Sequence, residues 1–571
     1  MDAFAEYRRW LDNVKEVGLL EDLKGIEGND EEIRGRFSQH LSFGTAGMRG
    51  ILAAGTDRMN IYSVGRATQG LADYINEVFG GGSVAVSYDS RIMSEDFARE
   101  TASILAANGV KAYIYSRLMP VPMLSYAVRE LKCQAGVMIT ASHNPSQYNG
   151  YKVYGSDGCQ MTDDDANAVL RRIEKHDYFS GIKQTDFEAA VSDGRIEYIS
   201  RKVCESYYND LMTCRVNPDI PLRKNNVSVV YTPLNGAGNE PVRRVLEMCG
   251  IRKVTVVPEQ EHPDGNFPTC PYPNPETEEA RKLGLELCAK VKPDIFIATD
   301  PDADRVGVAF PEKDGTFRSL TGNEAGILML DYVLRGATEN GTLPKNAVTV
   351  RSIVSSSMAD EIAASYGAEM RVVLTGFKYI GEQILLLEQA GEQDRFVFGF
   401  EESCGYLGGS FVRDKDGVYA SMILCELTSY YKSKKTTPLE VLDSLYEKYG
   451  FYRHKVANIA FPGADGAAEM KAVTERLREH PLKEIAGFKV TETDDIMKHE
   501  HTAEDGTVTP IDLPTSDVLL YTLENGAKVI VRPSGTEPKM KLYISAKEDS
   551  AEKSDALAEE LESAIRAAAG L

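Results

Sequence analysis

The sequence predicts an α/β protein of several domains, three of them related, followed by a smaller C-terminal α+β domain. Three observations carry this expectation: the length, an internal repeat, and a change of pattern late in the chain. At 571 residues the chain exceeds what one hydrophobic core usually organises. A unit of strand, helix, strand and final strand-plus-loop then recurs three times.

In the first copy, VAVSYDSR (Val84 to Arg91) and KAYIYS are β-rich runs separated by the helical SEDFARETASILAANG, and AGVMITASHNP follows. The second copy has VSVVYTPLNGAG, KVTVVPE and DIFIATDPDADR, and the third AVTVRSIVSSS, MRVVLTGFKYIG and RFVFGFEESCGY. Apolar strands alternating with helices argue for buried sheets in α/β layers. Each copy ends in a polar loop. Ligands collect at the carboxyl ends of such strands, so the three loops are expected to converge on one cleft.

After about Tyr449 the pattern becomes strand-rich, with HKVANIAF, FKVTET, DVLLYTLENGAKVIVRPS and KMKLYISAK, and Asn525-Gly526 marks a hairpin turn. Leu557, Leu561 and Ile565 lie on one face of a last helix, whose start at Asp549 to Glu552 resembles a capping box. Stretches near PDIPLRKNN, LRGATENGTLPKN and KSKKTTP are expected joints, and the domains are expected at 1–207, 208–324, 325–449 and 450–571.

Composition excludes several classes. No apolar run approaches the roughly 20 residues a membrane helix needs, and the N-terminus lacks the apolar core of a secretion signal. Nine cysteines occur without a C-x-x-C pair, which fits reduced thiols, and a cytoplasmic monomer is expected. A net charge of -22 repels nucleic acid, but small anions remain possible partners where a few cations gather. Neither a P-loop nor a strand-associated G-x-G-x-x-G occurs, so nucleotide binding has no sequence support.

The loops carry the chemistry. Ser142, in ITASHNPSQYNGYKVY, reads either as a turn residue before Asn144-Pro145 or as a phosphoryl carrier with His143 and Lys152 nearby. In DPDADR, Asp300, Asp302 and Asp304 alternate, so an extended backbone would aim three carboxylates to one side, where a cation must neutralise them. Arg305 stands where an EF-hand needs glycine, and Mg²⁺, with its preference for oxygen ligands, is the better occupant. VRPSGTEPKMK offers Arg532 as a bidentate fork and Ser534, Gly535 and Thr536 as phosphate donors, or else a plain turn between strands. Glu401 and Ser403 in GFEESCG suit sugar hydroxyls, and Lys378 is a candidate for proton transfer. His499-Glu500-His501 is expected in an exposed loop, and Asp163 to Asp165 at a solvated helix start.

TASHNP with NGYK, DPDADR, GFEESCG and RPSGTEPK, in this order, closely resemble the α-D-phosphohexomutase family of phosphoglucomutases and phosphomannomutases. GTAGMRG (Gly44 to Gly50) and RDKDG (Arg413 to Gly417) extend the resemblance over nearly the whole chain, in a spelling most like the long branch of bacterial phosphoglucomutases and phosphopentomutase-type relatives. The resemblance implies four domains around a central cleft. It implies an intramolecular phosphotransferase that interconverts glucose 1-phosphate and glucose 6-phosphate, with glucose 1,6-bisphosphate as intermediate and activator. Mannose or pentose phosphates, or a noncatalytic sugar-phosphate-binding role, are the alternatives. It further implies that Ser142 is the phosphoserine, that Asp300, Asp302 and Asp304 hold Mg²⁺ together with it, and that Glu401 and Ser403 hold the sugar. Arg532, Ser534, Gly535 and Thr536 would grip the phosphate not being transferred, with Arg49, His143, Lys152, Arg305 and Lys378 near the reacting one. Pro301 and Ala303 replace the glycine-containing form often seen in the metal loop, and Phe400 and Cys404 modify the sugar loop.

Overall fold

The computed structural model of the protein describes residues 1–44, 47–220, 226–462, 466–534 and 539–571. Its strands fall into four sheets, and the first three share one plan. In the first, Ser83–Tyr88 pairs in parallel with Lys111–Ile114 on one side and with Ala135–Ile139 on the other, and Tyr148–Gly155 returns antiparallel to Ala135–Ile139. The second repeats this with Ser228–Thr232, Lys253–Val256, Ile295–Thr299 and Val306–Pro311. The third does so with Val348–Ser352, Glu369–Val373, Phe396–Glu401 and Gly405–Leu407. The repeat seen in the sequence is therefore a repeat of topology.

The central strands are apolar on both faces because helices cover both. Ala135–Ile139 and Ile295–Thr299 are buried at every position. Ser94–Ala107, the helix expected from SEDFARETASILAANG, carries Glu95 and Asp96 in its first turn, where the helix dipole favours negative charge.

In every repeat the polar loop is the connection between the third strand and its antiparallel return. Each of these connections contains one residue outside glycine in the left-handed region: Ser142 at φ 50°, Ala303 at 49° and Cys404 at 61°. Such a residue costs roughly 1–2 kcal/mol and turns the chain sharply back. It also explains why glycine suits the position that Ala303 occupies.

The fourth sheet is antiparallel throughout, with Phe451–Ala460 paired to Lys539–Glu548 at one edge. Leu557, Leu561 and Ile565 of the helix Ala551–Ala569 pack into its core, as their spacing predicted. Ser550 caps this helix through Lys553, so only one half of the expected capping box forms, because the third helical position is a lysine. Asn525-Gly526 turns between Leu519–Leu523 and Lys528–Pro533, with Gly526 at φ 81°. The segment KHEHTAEDG corrects an expectation: Glu500–Ala503 is a strand paired with Phe488–Asp495, and His501 is bonded to Asp494. Backbone pairing outweighs a polar sequence there.

Three N-terminal helices, Ala3–Asn13, Val17–Gly25 and Asp30–Phe37, gather round Trp10, which packs against Phe37, Tyr62, Tyr178 and Phe179. Among the described residues no helix is long and apolar enough to cross a membrane.

Candidate active site

The three loops and the C-terminal sheet do converge. They line one cavity of about 1070 Å³ that includes His143, Arg305, Glu401, Ser403, Arg532 and Lys541. Next to the lining residue His143, Ser142, only 4% exposed, donates its hydroxyl to Asp300 Oδ2 at 2.7 Å, and its Oγ lies 3.1 Å from His143 Nδ1.

The serine loop is held from below by two residues that sequence reasoning passed over. Arg91 donates to the carbonyl oxygens of Ser142 and Asn144 at 2.5 Å each, and to those of Pro145 and Tyr148 at 2.9 and 3.0 Å. Asp89 lies 3.3 Å from the Arg91 guanidinium and accepts from Thr140, whose hydroxyl in turn accepts from the Ser142 amide. The signal was present in YDSR at the end of the first strand, where a charged pair follows a buried run. Arg91 also lies 5.0 Å from the ring centroid of Phe267 in the second domain.

The aspartates gather, but not on an extended backbone. Ala303 N–H bonds back to Asp300 and the positive φ at Ala303 folds the loop, so carboxylate oxygens of Asp300, Asp302 and Asp304 come within 4.8 Å of one another. A turn brings alternate side chains closer than a strand does, since strand neighbours two apart are separated by about 6.5–7 Å. Burial acts to raise both leading carboxyls, but only Asp300 ends above its ordinary value. Asp300, facing Asp302 and Asp304, is pushed well up, whereas Lys152 pulls Asp302 below the usual carboxylate range despite its burial. Asp302 Oδ1 and Asp304 Oδ1 are buried and accept no hydrogen bond from the described residues. An all-oxygen set with unsatisfied anionic atoms fits a hard divalent cation such as Mg²⁺.

Cations surround the cluster. Lys152 lies 2.9 Å from Asp302 and 3.6 Å from Asp304, and Lys415 lies 3.3 Å from Asp304. The backbone amide of Arg305 donates to Asp300, while its guanidinium reaches Glu276 at 2.6 Å. Burial, reinforced by Arg305 and Arg49, lowers the His143 pKa to about 2, so its imidazole is neutral at physiological pH. Arg49 donates to Asn144 at the mouth of the serine loop.

On the other wall, Glu401 accepts from the Gly376 amide at 2.6 Å and Glu402 from Ser352 and Ser355. Burial, with the charge of Glu402, raises the Glu401 pKa to about 7. Lys378 is not brought to Ser142: its ammonium is paired with Asp163 at 2.7 Å. Asp163 to Asp165 form the exposed helix start expected, from which Asp163 also reaches Lys378 of the third domain and Asp165 accepts from Tyr74. Arg532 reaches the cavity from the strand Lys528–Pro533, and Ser534 follows it. Gly535 and Thr536 lie outside the described residues.

Comparison with known proteins gives a consistent picture. The four domain models of phosphoglucomutase/phosphomannomutase match in order: alpha/beta/alpha domain I at residues 40–179, domain II at 205–314, domain III at 321–449 and the C-terminal domain at 469–563. A phosphoglucomutase of Staphylococcus saprophyticus is 34% identical over 539 residues, 94% of this chain and 95% of its own. The open form of parafusin, a phosphoglucomutase from Paramecium, shares the fold with a TM-score of 0.70 at 17% identity, covering 93% of this chain and 96% of that one. An N-acetylphosphoglucosamine mutase of Aspergillus fumigatus, solved with GlcNAc-6P and magnesium, aligns with a TM-score of 0.52 at 14% identity over 93% of this chain and 96% of its own.

Proposed function

Because the chain belongs to the phosphoglucomutase/phosphomannomutase family, we propose that it interconverts glucose 1-phosphate and glucose 6-phosphate through a phosphorylated Ser142. The observation that carries this reading is the Ser142 hydroxyl 2.7 Å from Asp300, beside a cavity lined by its neighbour His143 together with Arg532 and Lys541.

The free hydroxyl of the bound sugar phosphate attacks phosphorus on Ser142. A new O–P bond forms, the P–Oγ bond breaks, and glucose 1,6-bisphosphate is left with unphosphorylated serine. The bisphosphate turns end for end and its other phosphate returns to Ser142. One anion cradle must therefore accept either end, and Arg532 with Ser534, Gly535 and Thr536 is assigned that task.

Asp300, Asp302 and Asp304 would hold Mg²⁺, which when bound offsets the charge developing on the transferred group. Arg305 and Lys152 add positive charge at the same oxygens, and Arg49 stands at the loop's mouth. The neutral imidazole of His143, 3.1 Å from Ser142 Oγ, orients the serine oxygen by a hydrogen bond without adding charge beside the phosphoryl group. Lys378 acts from the side of the cleft nearest the C-terminal domain, once released from Asp163. Glu401 and Ser403 receive sugar hydroxyls. Closure of the C-terminal domain would keep water from the phosphoserine, without which the site would hydrolyse it.

The deciding experiment supplies glucose 1-phosphate, Mg²⁺ and catalytic glucose 1,6-bisphosphate, beside mannose and ribose 1-phosphates. Glucose 6-phosphate is expected as the main product; faster turnover of either other sugar reassigns the substrate, and release of inorganic phosphate alone would make the protein a phosphatase.

A further inference from the structure

Arg281 stands in the first turns of the helix Glu278–Val291 of the second domain, within the charged run EEARK, where an arginine would ordinarily face water. It is instead only 9% exposed and lines the cavity together with Tyr272, Glu276, Glu401 and Ser403. Its guanidinium donates to the Pro275 carbonyl at 3.2 Å, and its Nε is buried without a partner among the described residues. Bracing that carbonyl takes one of the guanidinium's N–H donors and leaves the others. Burial holds the guanidinium below its usual pKa, which the Cys404 thiol, Glu278 and Glu276 offset only in part. Glu276 is itself paired with Arg305 at 2.6 Å. A cation taken out of water in this way is short of acceptors.

The sugar loop is tied to the same domain. Val306 N–H donates to the Cys404 carbonyl at 3.0 Å, and Arg305 bridges Gly405. A Cβ on Gly322 would lie 1.9 Å from the Glu402 carbonyl oxygen, so the loop also presses directly on the helix Gly322–Glu339. Arg281 and the loop bearing Glu401 and Ser403 therefore form one wall. On that wall an ionised Glu401 only accepts and Arg281 only donates, whereas a sugar hydroxyl does both. Adjacent ring hydroxyls can give a proton to the carboxylate and accept one from the guanidinium.

We propose that Arg281 is a specificity-determining residue that donates to a ring hydroxyl of the bound sugar phosphate, as the donor counterpart of Glu401. The inference rests on the function proposed above, which gives the two phosphates to Ser142 and to the cradle at Arg532 and leaves the ring to this wall.

The test compares glucose 1-phosphate with its 2-, 3- and 4-deoxy analogues on the full-length protein and its Arg281→Met and Arg281→Lys variants, with Mg²⁺ and glucose 1,6-bisphosphate present. Each analogue is scored by its kcat/KM relative to glucose 1-phosphate on the same preparation, so any misfolded fraction cancels. Arg281→Met is expected to raise KM for glucose 1-phosphate about tenfold with kcat within about threefold. One analogue, disfavoured by the parent about ten- to a hundredfold, should lose that penalty in Arg281→Met and keep part of it in Arg281→Lys, while the other two keep theirs. If all three penalties in Arg281→Met equal those of the parent, Arg281 only braces the Pro275 carbonyl and the proposal fails. A parent protein that isomerises no sugar phosphate overturns the underlying reading instead.

Discussion

Ser142 Oγ meets Asp300 Oδ2 at 2.7 Å across 158 residues of chain. The contact exists because two domains dock loop to loop. Val121 N–H bonds to the Asp302 carbonyl, Arg91 stacks over Phe267, and Gly265 sits so close to the backbone of Ser90 to Ile92 that a Cβ would lie 2.5 Å from the Ile92 nitrogen. A nucleophile and an anionic cluster would repel each other without a cation or proton between them. Their juxtaposition is what gives the serine its proposed chemistry.

Ser142→Ala should lower isomerase activity by at least about a thousandfold and abolish labelling of the protein by radioactive phosphate from glucose 1,6-bisphosphate. Thermal unfolding should stay close to that of the parent. Retained labelling at parental activity would assign the phosphoryl carrier elsewhere.

Chelation of divalent ions should stop turnover and lower the melting temperature, because the buried aspartates then repel one another. In Asp302→Asn, Mg²⁺ should no longer raise the melting temperature, and kcat should fall about a hundredfold or more. Scanning fluorimetry with and without Mg²⁺ reads the first effect directly.

Arg91→Ala removes four bonds to the serine loop and leaves Asp89 buried without its cation. Breaking a buried pair costs about 3–5 kcal/mol. The first unfolding transition in urea should move to lower concentration, by that energy divided by the slope of the transition, with kcat falling more than KM rises, because the loop and not the sugar wall loses its support.

Glu401 supplies a pH dependence. Its folded pKa, raised by burial and by Glu402 to about 7, lies above the ordinary value of 4.5. The folded state therefore holds the proton more tightly, and Glu401's contribution to stability is full below pH 4.5 and lost as pH rises through about 7. Glu401→Gln should flatten the fall in melting temperature over that interval. The ionised carboxylate is the form that accepts sugar hydroxyls, so KM in the parent should decrease as pH rises through about 7.

The sequence showed the repeat because buried strands and their polar ends have a composition visible without coordinates. TASHNP, DPDADR and FEES were legible as loops for the same reason, each following an apolar run. Lys415 stood inside RDKDG and Arg91 inside YDSR, where local pattern indicates charge but not direction.

Local residue order by itself determined the α/β repeat, the strand-rich C-terminal domain and the three chemistry-bearing loops, since periodicity and polarity act over a few residues. Tertiary structure alone decided that Ser142 faces Asp300, that Lys415 rather than Lys378 stands at the aspartates, and that Lys378 is paired with Asp163. Those relationships depend on how separate domains pack, and packing sums weak contacts over surfaces that are assembled from distant parts of the chain.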